Sequence, residues 1–177
     1  DVYKRQGVNL HWYAGVDPDP TFAHVTEGAE VLRAAGCTAI VAVGGGSSMD
    51  AAKIIACTRT SDESPDKWVG LNKVPDDVLP IYAIPTTSGT GSEATMGAVI
   101  KDPEEKLKHI IVGEDLLPQA VALDPDLLLG LPAPVTAATG IDALTHGIEA
   151  YICIWDRGTR KENGRLAIQG VSVSYTH

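Results

Sequence analysis

A carboxylate and an imidazole stand four residues apart near the end of the chain, at Asp142 and His146. On a helix, residues at this spacing lie on one face, one turn apart. Such a pair can supply two adjacent ligands to a divalent metal. On spacing alone, a surface pair without a metal is the simpler interpretation. The metal hypothesis therefore depends on what the rest of the chain offers.

A glycine-rich turn, Gly44-Gly45-Gly46-Ser47, joins a β-branched run to a helical pattern. Glycines let the backbone approach a ligand closely, and a helix start offers N–H groups and a positive dipole end. Both features suit a pyrophosphate. The alternative is a tight strand-to-helix turn without a ligand. The run is not the G-x-G-x-x-G fingerprint, because Met49 stands where the last glycine would be.

A second polar loop follows a later apolar run. It fits the loose form G-x-G-x-x-A from Gly89 to Ala94, but no long helix follows it. We interpret it as a loop whose hydroxyl groups could bond to a ribose, a phosphate or an adenine edge. A solvated connection explains it equally well. The hydroxyl residues are Thr86, Thr87, Ser88, Thr90 and Ser92.

Other ionisable residues give weaker signals. Lys53 and Lys108 could point at a cofactor, although a lone lysine is usually solvated. The remaining histidines do not stand at metal-ligand spacing from the Asp142–His146 pair. We interpret them as surface or satisfied core residues: His11, His24, His109 and His177.

The elements around the glycine turn follow a helix–strand–turn–helix order. Thr21–Ala35 has helical spacing, with Thr21 as a cap and Gly36 as its end. Thr38–Val43 is typical of a strand buried on both faces of a parallel sheet. A helix is predicted over Asp50–Thr58. This order is half of a doubly wound α/β unit.

Further strands and a change of composition define the rest. Residues 59–78 are predicted to be a polar surface loop, and residues 79–85 a second buried strand. Short strands at 95–101 and 108–112 could form a hairpin, and residues 119–123 read as another buried strand. From residue 132 the pattern is helical. The predicted fold is therefore an α/β domain with a parallel sheet over residues 1–131. The first helices of a separate all-α domain follow over residues 132–177.

Composition excludes several classes of protein. The chain has 177 residues, 44% apolar and 21% charged, which is typical of a folded globular protein. A net charge of -9 disfavours a nucleic-acid partner. No apolar run approaches the ~20 residues that span a bilayer. We interpret the widely spaced Cys37, Cys57 and Cys153 as buried thiols of a cytoplasmic protein.

Three stretches in this order closely resemble the iron-containing (group III) alcohol dehydrogenases. They are GGGSSMDAAK at 44–53, PTTSGTGSE at 85–93 and TGIDALTHGIEAY at 139–151. The resemblance extends over roughly residues 7–153. It implies an N-terminal dinucleotide-binding α/β domain and a C-terminal helical domain. It also implies a metal in the cleft between them, usually Fe²⁺ and in some relatives Zn²⁺.

The same resemblance implies roles for individual residues. Gly44, Gly45, Gly46 and Ser47 match the segment that holds the NAD(P) pyrophosphate, and Asp50 matches the acidic residue near the nicotinamide end. Lys108 matches a lysine that contacts the cofactor ribose. The second cofactor loop is matched by Thr86, Thr87, Thr90 and Ser92. Asp142 and His146 match the first two metal ligands, and the family's other two are histidines further along. No catalytic acid or base is assigned.

The implied activity is interconversion of a short primary alcohol or diol and its aldehyde, with NAD or NADP. Alternatives are a glycerol-dehydrogenase-like zinc enzyme of the same fold, a non-catalytic nucleotide-binding module and a metal-dependent hydrolase. We expect a fragment truncated at both ends, with residues 1–6 and 171–177 non-native and little activity of its own. For the full-length parent we expect a cytoplasmic homo-oligomer without nucleic-acid or membrane partners.

Overall fold

Helices and strands alternate along the chain in this computed structural model, which describes residues 7–153 together with residues 166 and 169. The α-helices are α1 (Phe22–Ala35), α2 (Gly46–Cys57) and α3 (Ala133–Ile152). The strands are β1 (Ile40–Gly44), β2 (Gly70–Leu71), β3 (Ile81–Pro85), β4 (Gly97–Asp102), β5 (Leu107–Val112) and β6 (Ala120–Val121). The segments expected to be non-native, residues 1–6 and 171–177, lie outside the described residues.

Helix α1 has the ends that its sequence predicts. Thr21 is the N-cap, and its hydroxyl accepts from the His24 N–H while the His24 ring accepts from the Thr21 N–H. These two bonds satisfy donors that a helix start otherwise leaves unpaired. At the other end, Gly36 adopts the left-handed conformation with φ 62°. The predicted helix is confirmed.

Within the described residues, two three-stranded sheets form the β part of the fold. One has the order β1–β3–β6, with β3 and β6 parallel and Tyr82 opposite Ala120. The other has the order β2–β5–β4, with β2 parallel to β5. Strands β4 and β5 are antiparallel from the Gly97–Val112 pair to the Asp102–Leu107 pair. This confirms the predicted hairpin, and the α/β class is confirmed with it.

The main apolar core surrounds helix α2, which packs against α1, β1 and β4. Most of its residues from Met49 to Cys57 are buried. Apolar residues from the other elements complete the core, including Val25, Leu32, Trp68, Ile81, Ile100, Ile111 and Leu116. Burying one such side chain stabilises the fold by about 1.5–3 kcal/mol.

Residues 59–78 are more structured than their polar composition predicts. A 3₁₀ turn, Pro65–Trp68, places the Trp68 side chain in the core with 1% of its surface exposed. Strand β2 follows it directly. The prediction of a surface loop with little structure was therefore wrong. The few apolar residues of this segment follow no clear period, yet Trp68 is buried and Val69, Val74 and Val78 pack against the core beside it.

Two strands are less buried than their sequences indicate. In β1, Ala42 is buried, but Val41 and Val43 on the opposite face are each about half exposed. Strand β6 covers only two residues, and both are exposed. A β-branched run is typical of a strand buried on both faces, but such a strand is buried only where another element packs on each face. In the described part of the chain, the second face of each strand is only partly covered.

The cysteines also differ from prediction. Cys57 is fully buried, and burial raises the pKa of its thiol to about 12. Cys37 is only partly buried and Cys153 is exposed. The interpretation of all three as buried thiols was therefore wrong for two of them, because a short apolar context also occurs where a helix ends, as after α1 and α3.

The described residues group into two compact units. The first comprises the residues up to Ile84 together with Ser92–Leu123, and the second comprises Pro85–Gly91 with the described residues from Asp124 onward. The proposed domain boundary between residues 131 and 132 remains a prediction. Among the described helices, none has the length and apolar character needed to cross a membrane.

Candidate functional site

The glycine turn between β1 and α2 requires glycine at its first position. Gly44 has φ +153°, and a Cβ atom there would lie 2.5 Å from the Ser48 Oγ. Helix α2 then begins at Gly46, four residues before the start predicted at Asp50. The prediction treated all three glycines as turn residues. Gly45 is the N-cap with an extended backbone, and Gly46 already has helical backbone geometry, so that the helix begins within the glycine run.

The start of α2 is an open donor surface. Its N-cap, Gly45, makes no side-chain capping bond, and no acidic residue lies in the first turn. Met49 is the first residue whose N–H bonds within the helix, to the Gly45 carbonyl at 3.1 Å. The N–H groups of Gly46, Ser47 and Ser48 therefore precede the first intrahelical bond. Together with the positive dipole end, these donors fit a phosphate group of a dinucleotide.

An ion cluster lies beside this turn. The Asp19 N–H donates to the Ser47 Oγ at 3.3 Å. The Asp19 carboxylate bonds to the Lys108 ammonium at 2.6 Å and lies 3.7 Å from the Lys101 ammonium. Its bond to Lys108 is the main reason that the pKa of Asp19 is lowered. Ser47 and Lys108 thus both contact Asp19, Ser47 through the Asp19 N–H and Lys108 through the Asp19 carboxylate.

Asp50 and Ser92 are brought together inside the first unit. The Ser92 hydroxyl donates to Asp50 Oδ1, and the Val99 N–H donates to Asp50 Oδ2 at 3.0 Å. Burial raises the pKa of the Asp50 carboxyl, against the effect of these two hydrogen bonds. Helix α2 is thereby tied to the segment that follows the second glycine-rich loop.

Lys53 is buried, contrary to the expectation of a solvated lysine. Its side chain has no exposed surface, and its ammonium donates to oxygens of Ser92, Thr95 and Gly97. Burial lowers the pKa of the Lys53 ammonium to about 8, although Asp50 and Glu93 oppose this effect. The signal that could have revealed it is the apolar run around it, since residues 51–57 are otherwise apolar.

The second glycine-rich loop belongs to the second unit. The Oγ1 atom of Thr87 is buried and has no hydrogen-bond partner among the described residues. Thr86 and Thr90 are partly buried. Gly89 has φ +143°, and a Cβ atom there would lie 1.9 Å from the Thr139 carbonyl oxygen. The loop therefore packs its backbone against α3, and it presents one buried hydroxyl that suits a polar ligand.

Asp142 and His146 lie one turn apart on α3, as their spacing predicts. The Asp142 Oδ1 and His146 Nε2 atoms are 3.7 Å apart, and the side chains are 45% and 49% exposed. Two donors bound at about 2.1 Å to a tetrahedral ion lie about 3.4 Å from each other. The pair thus fits two ligand positions of a divalent ion after a small adjustment.

His109 forms a cluster that the sequence did not reveal. Its Nε2 lies 3.4 Å from a Glu105 carboxylate oxygen and 3.9 Å from Asp102 Oδ2. The three donor atoms lie within 4.8 Å of one another. The cluster depends on the hairpin turn between β4 and β5, which brings together residues from its two sides. We assign it no ion, because partly exposed carboxylates often cluster without one.

The family comparison gives a consistent result. The model of the family described as iron-containing alcohol dehydrogenase matches residues 1–125. The NAD-dependent methanol dehydrogenase of Bacillus methanolicus is 38% identical over 170 residues, which are 96% of this chain and 44% of the relative. The 1,3-propanediol dehydrogenase of Citrobacter freundii is 42% identical over 149 residues, or 84% of this chain and 38% of the relative.

Solved structures agree with the sequence comparison. The alcohol dehydrogenase from Oenococcus oeni superposes with a TM-score of 0.89 at 31% identity. The match covers 98% of this chain and 44% of that one. The chain therefore spans less than half the length of the relatives described above.

Proposed function

Because this chain belongs to the iron-containing alcohol dehydrogenase family, we propose that the whole protein is an NAD- or NADP-linked, metal-dependent dehydrogenase. Its proposed substrates are short primary alcohols or diols and the corresponding aldehydes, the classes named for the methanol and propanediol dehydrogenases. The observation that carries this proposal is the open start of α2, preceded by a glycine that no other residue can replace without strain.

The residues of the first unit would bind and orient the dinucleotide. The N–H groups of Gly46 and Ser47 would donate to the pyrophosphate, and no acidic side chain in the first turn competes with it. Lys108, held by Asp19 at 2.6 Å, would bring a positive charge to the same turn. A bound nicotinamide supplies the hydride acceptor or donor, and the protein supplies its position.

The residues of the second unit would hold the metal and one polar group of the cofactor. Asp142 and His146 would provide two ligands for Fe²⁺, with Zn²⁺ as the alternative. The buried Thr87 hydroxyl would donate to or accept from the cofactor, since it has no partner among the described residues. A divalent ion in such a site supplies Lewis-acid polarisation of the substrate oxygen.

A substitution at the N-cap tests the cofactor site. In Gly45→Asp, the new carboxylate would accept from the first N–H groups of α2, as N-cap aspartates do. It would therefore stabilise the helix while competing with the pyrophosphate. We expect NADH affinity to fall by at least about tenfold, with thermal stability unchanged or slightly increased. Fluorescence titration with NADH and thermal unfolding measure the two quantities.

Ser64→Asp is the matched control for that experiment. It adds the same charge at the N-cap of the 3₁₀ turn Pro65–Trp68. NADH affinity should be unchanged in this variant. An equal loss of affinity in both variants would indicate a general charge effect. Unaltered NADH binding in Gly45→Asp would contradict the proposed cofactor site.

A further inference from the structure

The Lys53 ammonium lies in a closed shell of oxygens. Three backbone carbonyls accept from it, those of Ser92 at 2.7 Å, Thr95 at 2.9 Å and Gly97 at 2.7 Å. The hydroxyl oxygens of Ser92 and Thr95 each lie 3.2 Å away. The side chain has no exposed surface. All five oxygens thus belong to one short segment of the chain, residues 92–97.

Two backbone hydrogen bonds of this segment are that of the Thr95 N–H to the Ser92 carbonyl at 3.4 Å and that of the Gly113 N–H to the Met96 carbonyl at 3.0 Å. The segment contains the 3₁₀ turn Ser92–Ala94 and then enters β4 at Gly97. Three carbonyl groups that converge on one point repel one another unless a cation or several donors lie between them. The ammonium supplies both a positive charge and N–H donors at that point. The path of the segment therefore depends on the charge, and not only on the volume, of Lys53.

Lys53 also fixes the direction of a neighbouring hydrogen bond. The Ser92 Oγ lies 3.2 Å from this ammonium, which directs the Ser92 hydroxyl proton away from the charge and to Asp50 Oδ1. The other Asp50 oxygen accepts from the Val99 N–H. Lys53, Ser92 and Asp50 thus form one connected network between helix α2 and residues 92–99.

We infer that Lys53 is a positioning residue for the proposed cofactor site, acting as a tethered cation that fixes residues 92–97 against helix α2. The glycine-rich loop that carries Thr87 and Thr90 ends at Gly91 and continues directly into Ser92. Ser92 is therefore the residue of the first unit that follows that loop directly, and its position depends on the Lys53 ammonium. This inference rests on the proposed function only where it concerns the cofactor.

Chemical rescue of the Lys53→Ala chain tests the requirement for charge. Propylammonium reproduces the part of the lysine side chain that this substitution removes. Propan-1-ol has the same carbon chain and a hydroxyl group in place of the ammonium. Hydrogen exchange of residues 92–99, including the Val99 N–H, reports on the segment without any cofactor. NADH titration reports on the proposed site, and Trp68 fluorescence, in chains whose Trp12 and Trp155 are replaced by phenylalanine, reports on the core.

We expect Lys53→Ala to lose protection at residues 92–99 and at least about tenfold in NADH affinity, at a temperature where Trp68 remains buried. Propylammonium should restore both properties, whereas propan-1-ol should not. Lys53→Arg should not restore them, because the planar guanidinium cannot direct donors into so compact a shell. Lys73→Ala, which removes an exposed lysine of the same unit, should behave as the unchanged chain.

Equal effects of the two additives would overturn the inference, as would unchanged protection of residues 92–99 in Lys53→Ala. If Lys53→Ala does not fold, the two additives are compared for refolding, and an advantage of propylammonium supports the inference while equality overturns it. Absence of NADH binding by the unchanged chain would instead overturn the proposed cofactor site. The exchange measurement would then decide the positioning role alone.

Discussion

Buried charges of helix α2 determine how its residues can act. Asp50 and Lys53 are one turn apart, and both form hydrogen bonds with Ser92. Asp50 accepts from the Ser92 hydroxyl, and the Lys53 ammonium donates to the Ser92 carbonyl. The resemblance predicted that Asp50 and Ser92 belong to a cofactor site, and the structure brings these two together. The sequence could not reveal the contacts of Lys53, because the acceptors of this ammonium belong to a segment about 40 residues away in the chain.

The lowered pKa of Lys53 leads to a pH dependence of stability. Burial lowers the pKa of the Lys53 ammonium in the folded chain to about 8, whereas a lysine of the unfolded chain has a pKa of about 10.4. Between these values the unfolded state binds more protons, so the stability contributed by this group rises with pH. Because deprotonation relieves the desolvation of the buried charge, the unchanged chain should gain up to about 3 kcal/mol relative to Lys53→Met over this range, while residues 92–99 lose the exchange protection that the charge provides. Urea unfolding from pH 7 to pH 10 measures the difference, and a constant difference would contradict the prediction.

The three thiols should react at very different rates. Cys153 is exposed, whereas Cys57 is buried and the pKa of its thiol is raised to about 12. Since the thiolate is the reactive form, Cys57 has neither access nor ionisation at neutral pH. Alkylation followed by peptide mass analysis should label Cys153 first and Cys57 only after unfolding. Early labelling of Cys57 in the folded chain would refute this order.

Among the elements, those with caps and clear periodicity could be predicted. The ends of helix α1 were predicted correctly. The Thr21 hydroxyl caps its start, and Gly36, which has no side chain, adopts the left-handed conformation at its end. The β4–β5 hairpin followed from its charged turn. The start of α2 was missed because glycine fits both a turn and the first helical position. Trp68 was missed because burial of one residue depends on contacts that are distant in sequence.

Removal of the N-cap should destabilise α1 measurably. Thr21→Ala loses the bond that the hydroxyl accepts from the His24 N–H, and we expect a cost of about 1 kcal/mol in unfolding free energy. Thr26→Ala is the matched control, because the Thr26 hydroxyl bonds only within the helix, to the Phe22 carbonyl. That change should leave stability equal or slightly higher. Denaturant unfolding of both variants distinguishes a capping effect from a general threonine effect.

On the scale of the whole molecule, the predicted site residues are divided between the two units. Gly44–Ser47, Asp50, Ser92 and Lys108 belong to the first unit, and the threonine loop with Asp142 and His146 belongs to the second. Apolar patterns and turn residues predicted the α/β part, and a change of composition near residue 131 with a helical pattern after it predicted the helix that follows. Spacing alone could not distinguish a metal-binding pair from a surface pair, because both have the same geometry on α3.

Metal binding should therefore be separable from nucleotide binding. Loss of a residue that only hydrogen-bonds a metal ligand lowers metal affinity by about 10–100-fold. In the whole protein, Asp142→Ala and His146→Ala each remove a proposed ligand itself and should therefore lower metal affinity by more than this. NADH affinity should change little, because the donors of α2 remain. Glu149→Ala, one turn beyond His146 and exposed, is the control. Elemental analysis with NADH titration measures both properties, and full metal retention in the two variants would refute the pair as ligands.

The contact between Gly89 and the Thr139 carbonyl has a genetic consequence. A Cβ atom at position 89 would overlap a backbone oxygen, and every residue type at position 139 carries that oxygen. Hence no second-site exchange of the facing side chain can compensate for Gly89→Ala. A selection for restored activity after Gly89→Ala should return glycine at position 89 itself, and intragenic suppressors at position 139 should not arise.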